Sequence, residues 1–226
     1  MYTKRQVAAT IDHAVLKPEF GDKELKEHAQ MCCELGVFSM CVKPCDVKAA
    51  KELLKGSGVK VSCVLSFPHG ADTSEVKAFQ AKNAIDNGVD EIDMVMNIGQ
   101  FLSENYDYVV NDIKGVVNVA HQNGVLVKVI QESGFLTLEQ VAKACELSYV
   151  AGADFVKTST GFSASSATPE IIEVMLKTVG DKMQVKSSGG IRDWATAVGY
   201  LGQGVQRLGV GSTKAVLDGS PAEGNY

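Results

Sequence analysis

The sequence predicts a closed (β/α)8, or TIM-type, barrel on three observations. Eight short β-rich runs alternate with longer stretches of helical character from end to end. The 226 residues, 45% of them hydrophobic, suffice for one core of the kind a single α/β barrel encloses. Charged side chains recur toward the ends of aliphatic runs, where a parallel barrel gathers residues distant in sequence onto one face. With no long linker, low-complexity segment or strong short repeat, residues 1–226 read as one domain. An open doubly wound sheet is the alternative, because periodicity alone does not prove closure.

The first strand run is ATIDHAVL (9–16), followed by DKELKEHAQMCCELG (22–36), with apolar residues at helical spacing and a terminal Gly that marks a helix end. FSMCVK (38–43) and DVKAAKELLKG (46–56) repeat the pattern. After VKVSCVLSF (59–67) comes TSEVKAFQAKNAIDNG (73–88), where Thr73 precedes Glu75 and Val76 as a helix start. EIDMVMN (91–97) leads to ENYDYVVNDIKGVVNVAHQNG (104–124), and VLVKVIQE (125–132) to TLEQVAKACELSYVAG (137–152), whose Thr137 has Gln140 three residues on. DFVKTS (154–159) precedes TPEIIEVMLKTVG (168–180), with Pro169 suited to a first helical turn. MQVKSS (183–188), WATAVGYLGQG (194–204) and QRLGVG (206–211) complete the eight units. The tail from Gly219 to Tyr226 is rich in Gly, Ser, Pro and Asn and is expected to be exposed and mobile.

A formal charge of −5 with Lys and Glu interspersed leaves no basic stripe, which argues against a nucleic-acid footprint. The apolar stretch near the N-terminus is interrupted by Asp12 and His13 and is not a signal peptide, and no stretch reaches the roughly 20 apolar residues of a membrane span. Six cysteines (32, 33, 41, 45, 63 and 145) form no C-x-x-C pair. They read as reduced packing residues of a cytoplasmic protein, without a structural metal site.

Two lysines stand in matched settings, Lys157 in FVKTSTGF and Lys186 in VKSSGGIR, each ending an apolar run just before Ser, Thr and Gly. A lysine at a buried strand tip loses hydration, which disfavours the ammonium, and a second ammonium nearby acts in the same direction. A neutral amine can attack a carbonyl, so the pair points to imine-forming chemistry. The competing role for Lys157 is an amine that snorkels to water or pairs with a carboxylate. Asp93 in EIDMVM points into the barrel if Ile92 and Met94 face the helices, where it can hold a lysine charged or shuttle a proton. Lys128 is open between a direct role and an ion pair with Asp93 or Glu132, and Asp12 between catalysis and support. Cys41 is read as packing or as lining the pocket.

Two Gly-rich strand exits, SSGGIRD (187–193) with Gly189 and Gly190, and LGVGST (208–213) with Gly209, Gly211 and Ser212, stand before helices. Exposed N–H groups at such turns bind phosphate oxygens, and the exits of strands seven and eight are frequent phosphate sites in barrels. Ser159, Thr160 and Gly161 offer further donors. His28 and His121 read as surface groups. His13 and His69 have no nucleophile beside them, which argues against a hydrolytic triad.

IDHAVLKPE, FSMCVKP, SFPHG, EIDMVMNIG, VKVIQES, AGADFVKTSTGF, VKSSGGIRD and RLGVGS occur in this order across about residues 10–215, and the chain closely resembles the deoxyribose-phosphate aldolase family. The resemblance implies that Lys157 forms the imine while Asp93 and Lys186 move protons. It also implies reversible cleavage of 2-deoxy-D-ribose 5-phosphate to D-glyceraldehyde 3-phosphate and acetaldehyde in deoxyribonucleotide catabolism, with no cofactor. A homo-oligomer is admitted, its size left open. Some relatives end in a Tyr that folds back to the site, which makes Tyr226 a candidate for the same role.

The chain departs from the family pattern at five positions: Ala14 stands for Thr, Lys43 for Asn, Ser66 for Gly, Gln131 for Leu and Gly211 for Ser. None removes a proposed catalytic group, but Gly211 takes a hydroxyl from the expected phosphate loop, and Ala14 and Gln131 are expected to alter the pocket. Two alternatives stand beside this reading: a related Schiff-base aldolase for another phosphorylated sugar, and a non-catalytic phosphosugar-binding barrel.

Overall fold

Successive side chains of a strand point to opposite faces, so an aliphatic run punctuated by charges must present those charges to one environment and its aliphatics to another. A computed structural model of the protein describes residues 2–163 and 166–219 and shows how the two are separated. Eight parallel strands close into a barrel in sequence order, β1 (Ile11–Val15), β2 (Ser39–Val42), β3 (Lys60–Leu65), β4 (Glu91–Val95), β5 (Leu126–Ile130), β6 (Phe155–Lys157), β7 (Gln184–Ser188) and β8 (Arg207–Val210), with β8 paired back onto β1. The closed barrel excludes the open sheet. All eight expected strands are present, each shortened by one to three residues where its ends leave the ladder.

The helices are α1 (Lys4–Ala8), α2 (Asp22–Leu35), α3 (Val47–Leu53), α4 (Ser74–Asp86), α5 (Ile98–Leu102), α6 (Tyr106–His121), α7 (Leu138–Val150), α8 (Pro169–Val179), α9 (Trp194–Gln203) and α10 (Thr213–Asp218). Their starts follow cap chemistry: Thr73, Thr137 and Thr168 accept from the N–H groups of Val76, Gln140 and Ile171, and Thr137 with Gln140 forms a reciprocal capping box. Each such cap contributes about 1 kcal/mol. The short helices α1, α5 and α10 are not among the expected ones; at five or six residues they are too brief to show a period.

One large apolar core lies between sheet and helices. Ile11, Met40, Val61, Ile92, Met94, Val127, Val129, Val156, Val185 and Leu208 face outward into it and meet Leu25 and Ala29 of α2, Ile113 and Val116 of α6, and Ile172 and Met175 of α8. The alternate residues face inward, and the interior they build is charged. That division is the reverse of an ordinary apolar barrel centre, and it is what positions the site.

Two sequence expectations are corrected, one for His28 and one for Cys33 and Cys45. His28 is not a free surface group: its Nδ1 lies 2.8 Å from Nε2 of fully buried His13, the rings stack at 4.9 Å, and His13 Nδ1 reaches Thr213 Oγ1 at 2.8 Å. His13 therefore sits under the helix layer. His121 does lie near the surface, beside Asp154. All six cysteines are free thiols, but only Cys32, Cys41, Cys63 and Cys145 are buried; Cys33 and Cys45 are exposed, on α2 and after β2. Among the described residues, no helix is long and apolar enough to cross a membrane.

Candidate active site

The strand register places the charges. Lys157 of β6 lies directly beside Lys186 of β7, and Asp93 of β4 beside Lys128 of β5. The inward phase that contains Asp93 also contains Glu91, and the phase that contains Gly209 also contains Arg207. Seven charged side chains thus share the interior: Asp12, Glu91, Asp93, Lys128, Lys157, Lys186 and Arg207, all buried.

Asp93 is the hub. Its Oδ2 accepts from both Lys157 Nζ and Lys186 Nζ at 2.8 Å, and its Oδ1 from Lys128 Nζ at 2.8 Å. Lys186 also donates to Asp12 Oδ2 at 2.5 Å. Lys128 lies 2.6 Å from Glu91 Oε2 and 3.8 Å from Asp12 Oδ2. Arg207 closes the network with a two-pronged contact to Glu91 at 3.1 and 3.0 Å and a 3.0 Å bond to Asp12 Oδ1. Ser39 donates to Asp12 Oδ1 at 2.7 Å and lies 3.1 Å from Ser62. Glu132 is not the partner of Lys128; it holds the β6 exit instead.

Burial alone would raise the Asp93 carboxyl, but Lys128, Lys157 and Lys186 together hold it well below the usual carboxylate range. Asp12 behaves likewise: desolvation pushes it up, and Lys186, Lys128 and Arg207 outweigh this and bring it down to about 2. Desolvation opposes the charge on Lys128 as well, yet Asp93, Asp12 and Glu91 hold its ammonium above the ordinary lysine value. The Cys41 thiol is pushed up, first by burial and then by Asp93. A protonated thiol in this place lines the pocket as an apolar group. It packs with Ala14, Leu16, Val64 and Phe67 on the β1–β3 side.

Across the mouth, Gly189, Gly190, Arg192, Gly209, Gly211 and Ser212 line a small cleft. Two of these positions admit only glycine. A Cβ on Gly209 would stand 2.6 Å from Ser188 Cβ and 3.3 Å from Lys186 Cε, so its absence lets the Lys186 stem pass. Gly190 has φ 76°, and a Cβ there would meet Ser166 Cβ at 2.7 Å. The β6 exit is tied to the end of β7: Thr158 Oγ1 donates to Ser188 O at 2.8 Å, and Ser188 Oγ to Ser159 O at 2.5 Å. Thr160 stands apart from the cleft's lining. Its N–H and hydroxyl both donate to the Glu132 carboxylate, at 3.3 and 2.5 Å, and Ser163 Oγ donates to the same group at 3.0 Å. Thr160 thus supports the loop, with Gly161 (φ 84°) turning the chain just after it. Tyr226 lies outside the described residues.

Of the five departures, Ala14 faces the interior beside Cys41, Lys43 and Ser66 border a recess on the β2–β3 side of the mouth, and Gly211 lines the cleft. Gln131 corrects its expectation. It is one residue out of phase with the inward Ile130, its Nε2 lies 3.2 Å from Cys145 Sγ of α7, and it is buried under the helices, away from the pocket. Glu91 and Arg207 are not among the candidates the sequence offers, although period-two counting back from Asp93 and Gly209 finds both.

Known proteins share this arrangement's scaffold. The family model described as DeoC/LacD family aldolase matches residues 6–200. A deoxyribose-phosphate aldolase of Clostridium perfringens is 47% identical over 223 residues, covering 99% of this chain and 99% of the relative. One from Thermococcus kodakarensis is 46% identical over 222 residues, covering 97% and 99%. The solved structure of a tetrameric deoxyribose phosphate aldolase from Aeropyrum pernix superposes with a TM-score of 0.89 at 29% identity, over 96% of this chain and 91% of that one. On the length and level of this similarity, the chain belongs to the DeoC/LacD aldolase family.

Proposed function

We propose that the protein is a class I aldolase that reversibly cleaves 2-deoxy-D-ribose 5-phosphate to D-glyceraldehyde 3-phosphate and acetaldehyde, serving deoxyribonucleotide breakdown. The observation that carries the reading is the single carboxylate oxygen, Asp93 Oδ2, shared at 2.8 Å by the amines of Lys157 and Lys186. The names of the relatives supply the sugar.

Charge balance selects the nucleophile. With every group ionised, the interior holds four cations against three carboxylates, so one proton can leave without creating net negative charge. Arg207 does not give one up. Lys128 contacts three carboxylates and Lys186 two, whereas Lys157 contacts Asp93 alone. Lys157 is therefore the amine with the fewest carboxylate partners and the one that attacks the aldehyde carbon of the open-chain sugar.

Loss of water from the resulting carbinolamine leaves a protonated imine, an electron sink. Removal of the C3 hydroxyl proton by the Asp93 and Lys186 relay, directly or through water, breaks the C2–C3 bond. Its electron pair enters an enamine on Lys157 as glyceraldehyde 3-phosphate departs. Protonation of the enamine carbon and addition of water then free acetaldehyde and restore the amine. The Gly-lined cleft with Arg192 takes the phosphate through backbone N–H groups and positive charge, which sets C1 of the sugar toward Lys157. The test is a cleavage assay with 2-deoxyribose 5-phosphate: wild type turns over and Lys157→Leu does not. Equal turnover by both would overturn the mechanism, and no turnover by the folded wild type would overturn the substrate.

A further inference from the structure

Arg207 begins β8, at the end of the interior remote from the mouth, and has no part in the bond changes above. Its guanidinium lies 3.2 Å from the centroid of the Phe38 ring and forks onto Glu91 while reaching Asp12. From there the sign of charge alternates toward the mouth. Arg207 is followed by Asp12 and Glu91, then by Lys128 and Lys186, then by Asp93, and last by Lys157. Every link is buried, so little solvent screens the series.

We propose that Arg207 is a positioning residue that sets the pH at which Lys157 becomes a free amine, by supplying the fourth positive charge to an interior that holds three carboxylates. This rests on the reading of Lys157 as the imine-forming lysine. Without the guanidinium, the remaining three lysines balance Asp12, Glu91 and Asp93, and taking a proton from Lys157 leaves a buried net negative charge. The proton is then held more tightly. Without Glu91 the excess of positive charge doubles, and Lys157 sheds its proton more readily.

The groups that act on Lys157 are Asp93 and Glu91 from β4, Lys186 from β7, Lys128 from β5, Asp12 from β1 and the Cys41 thiol from β2. Glu132, at the β5 exit, is committed to Thr160 and Ser163. A purely structural Arg207, plugging the barrel floor on Phe38, would lower stability when removed but would give the pH profile no preferred direction.

The experiment measures two pH dependences in wild type, Arg207→Gln, Glu91→Gln, the Arg207→Gln/Glu91→Gln double variant and Arg207→Lys. One is kcat/KM for 2-deoxyribose 5-phosphate. The other is the rate of reductive methylation of Lys157 by formaldehyde and cyanoborohydride, read on its peptide by mass spectrometry. Circular dichroism establishes that each variant is folded. For unit charges acting across two layers of side chains, the acidic limb is expected to rise by about one pH unit in Arg207→Gln and to fall by about as much in Glu91→Gln. On the limb, one unit is about a tenfold change in rate.

The double variant is expected to return near wild type, and Arg207→Lys, which keeps the charge without the fork, to stay there. Limbs that do not move, or that move in the same direction in the two single variants, overturn the inference. If Arg207→Gln does not fold, Glu91→Gln and Arg207→Lys decide by the same criterion. Methylation reads the amine without turnover, so the two claims fail differently. Opposite shifts in a wild-type background that cleaves no sugar phosphate sink only the functional reading, and cleavage with unmoved limbs sinks only the role of Arg207.

Discussion

Gln131→Leu is expected to make the protein more stable without changing its catalysis. Gln131 is fully buried between β5 and α7; its amide Nε2 meets only the weak acceptor Cys145 Sγ at 3.2 Å, and its Oε1 has no hydrogen-bond partner among the described residues. A buried, unpartnered carbonyl costs about 1–3 kcal/mol, while the N–H to sulfur contact that would be lost returns a fraction of that. Leucine has nearly the same volume, so neither a cavity nor overpacking offsets the gain. The net gain is about 1–2 kcal/mol, which for a chain of this length raises Tm by about 2–8 °C. Urea titration of both proteins gives the free-energy difference from the midpoints at constant slope. Because the side chain faces the helices, kcat and KM should stay as in wild type. Equal or lower stability of Gln131→Leu would refute the reasoning, and a changed KM would refute the placement of the side chain.

Three further outcomes are expected. Ser66 sits in the left-handed region with φ 51°, where a Cβ is strained; Ser66→Gly and Ser66→Ala both lose the Asp72 N–H bond to Ser66 Oγ, so Ser66→Gly should be the more stable of the two by about 0.5–1 kcal/mol in urea titration, the strain relieved less the added freedom of the unfolded chain. Asp93→Asn removes the carboxylate shared by Lys157, Lys186 and Lys128, so kcat should fall by about a hundredfold or more in a steady-state cleavage assay, with an accompanying loss of stability. His13 is pushed down to about 3 by burial and by His28, whereas in the unfolded chain it titrates near 6.5. Between those values the unfolded chain binds the extra proton, so His13's contribution to stability is complete above about pH 6.5 and is lost, by roughly 1.4 kcal/mol per pH unit, as pH falls toward 3. His13→Asn should flatten the stability profile across that window in urea titrations at a series of pH values.

The barrel was legible because each strand carries its own alternation: Ile92 and Met94 flank Asp93, and Val185 precedes Lys186, so parity alone separates core from interior. The same counting places Asp93, Lys128, Lys157 and Lys186 together once closure is granted. It also reaches Glu91, Arg207 and Gln131, but a charge at the start of a strand reads equally well as a solvated loop end, and only the neighbouring strands show that it is covered. His28 illustrates a different limit. Its burial depends on a stack with His13 across the helix layer, a contact between residues 15 positions apart that no period encodes. Thr160 is a third kind of case. The hydroxyl-rich STG run suggests donors for a ligand, and the Glu132 carboxylate that engages them comes from the neighbouring exit in a left-handed backbone conformation (φ 50°).

Reduction with borohydride in the presence of acetaldehyde tests the central claim most directly, because it turns a transient carbon–nitrogen bond into a permanent one at whichever amine forms it. Peptide mapping by mass spectrometry is expected to find N-ethyl lysine at Lys157, with activity lost in proportion. An active enzyme that emerges unmodified, or one that carries the ethyl group on Lys186 or Lys128 instead, would contradict the account.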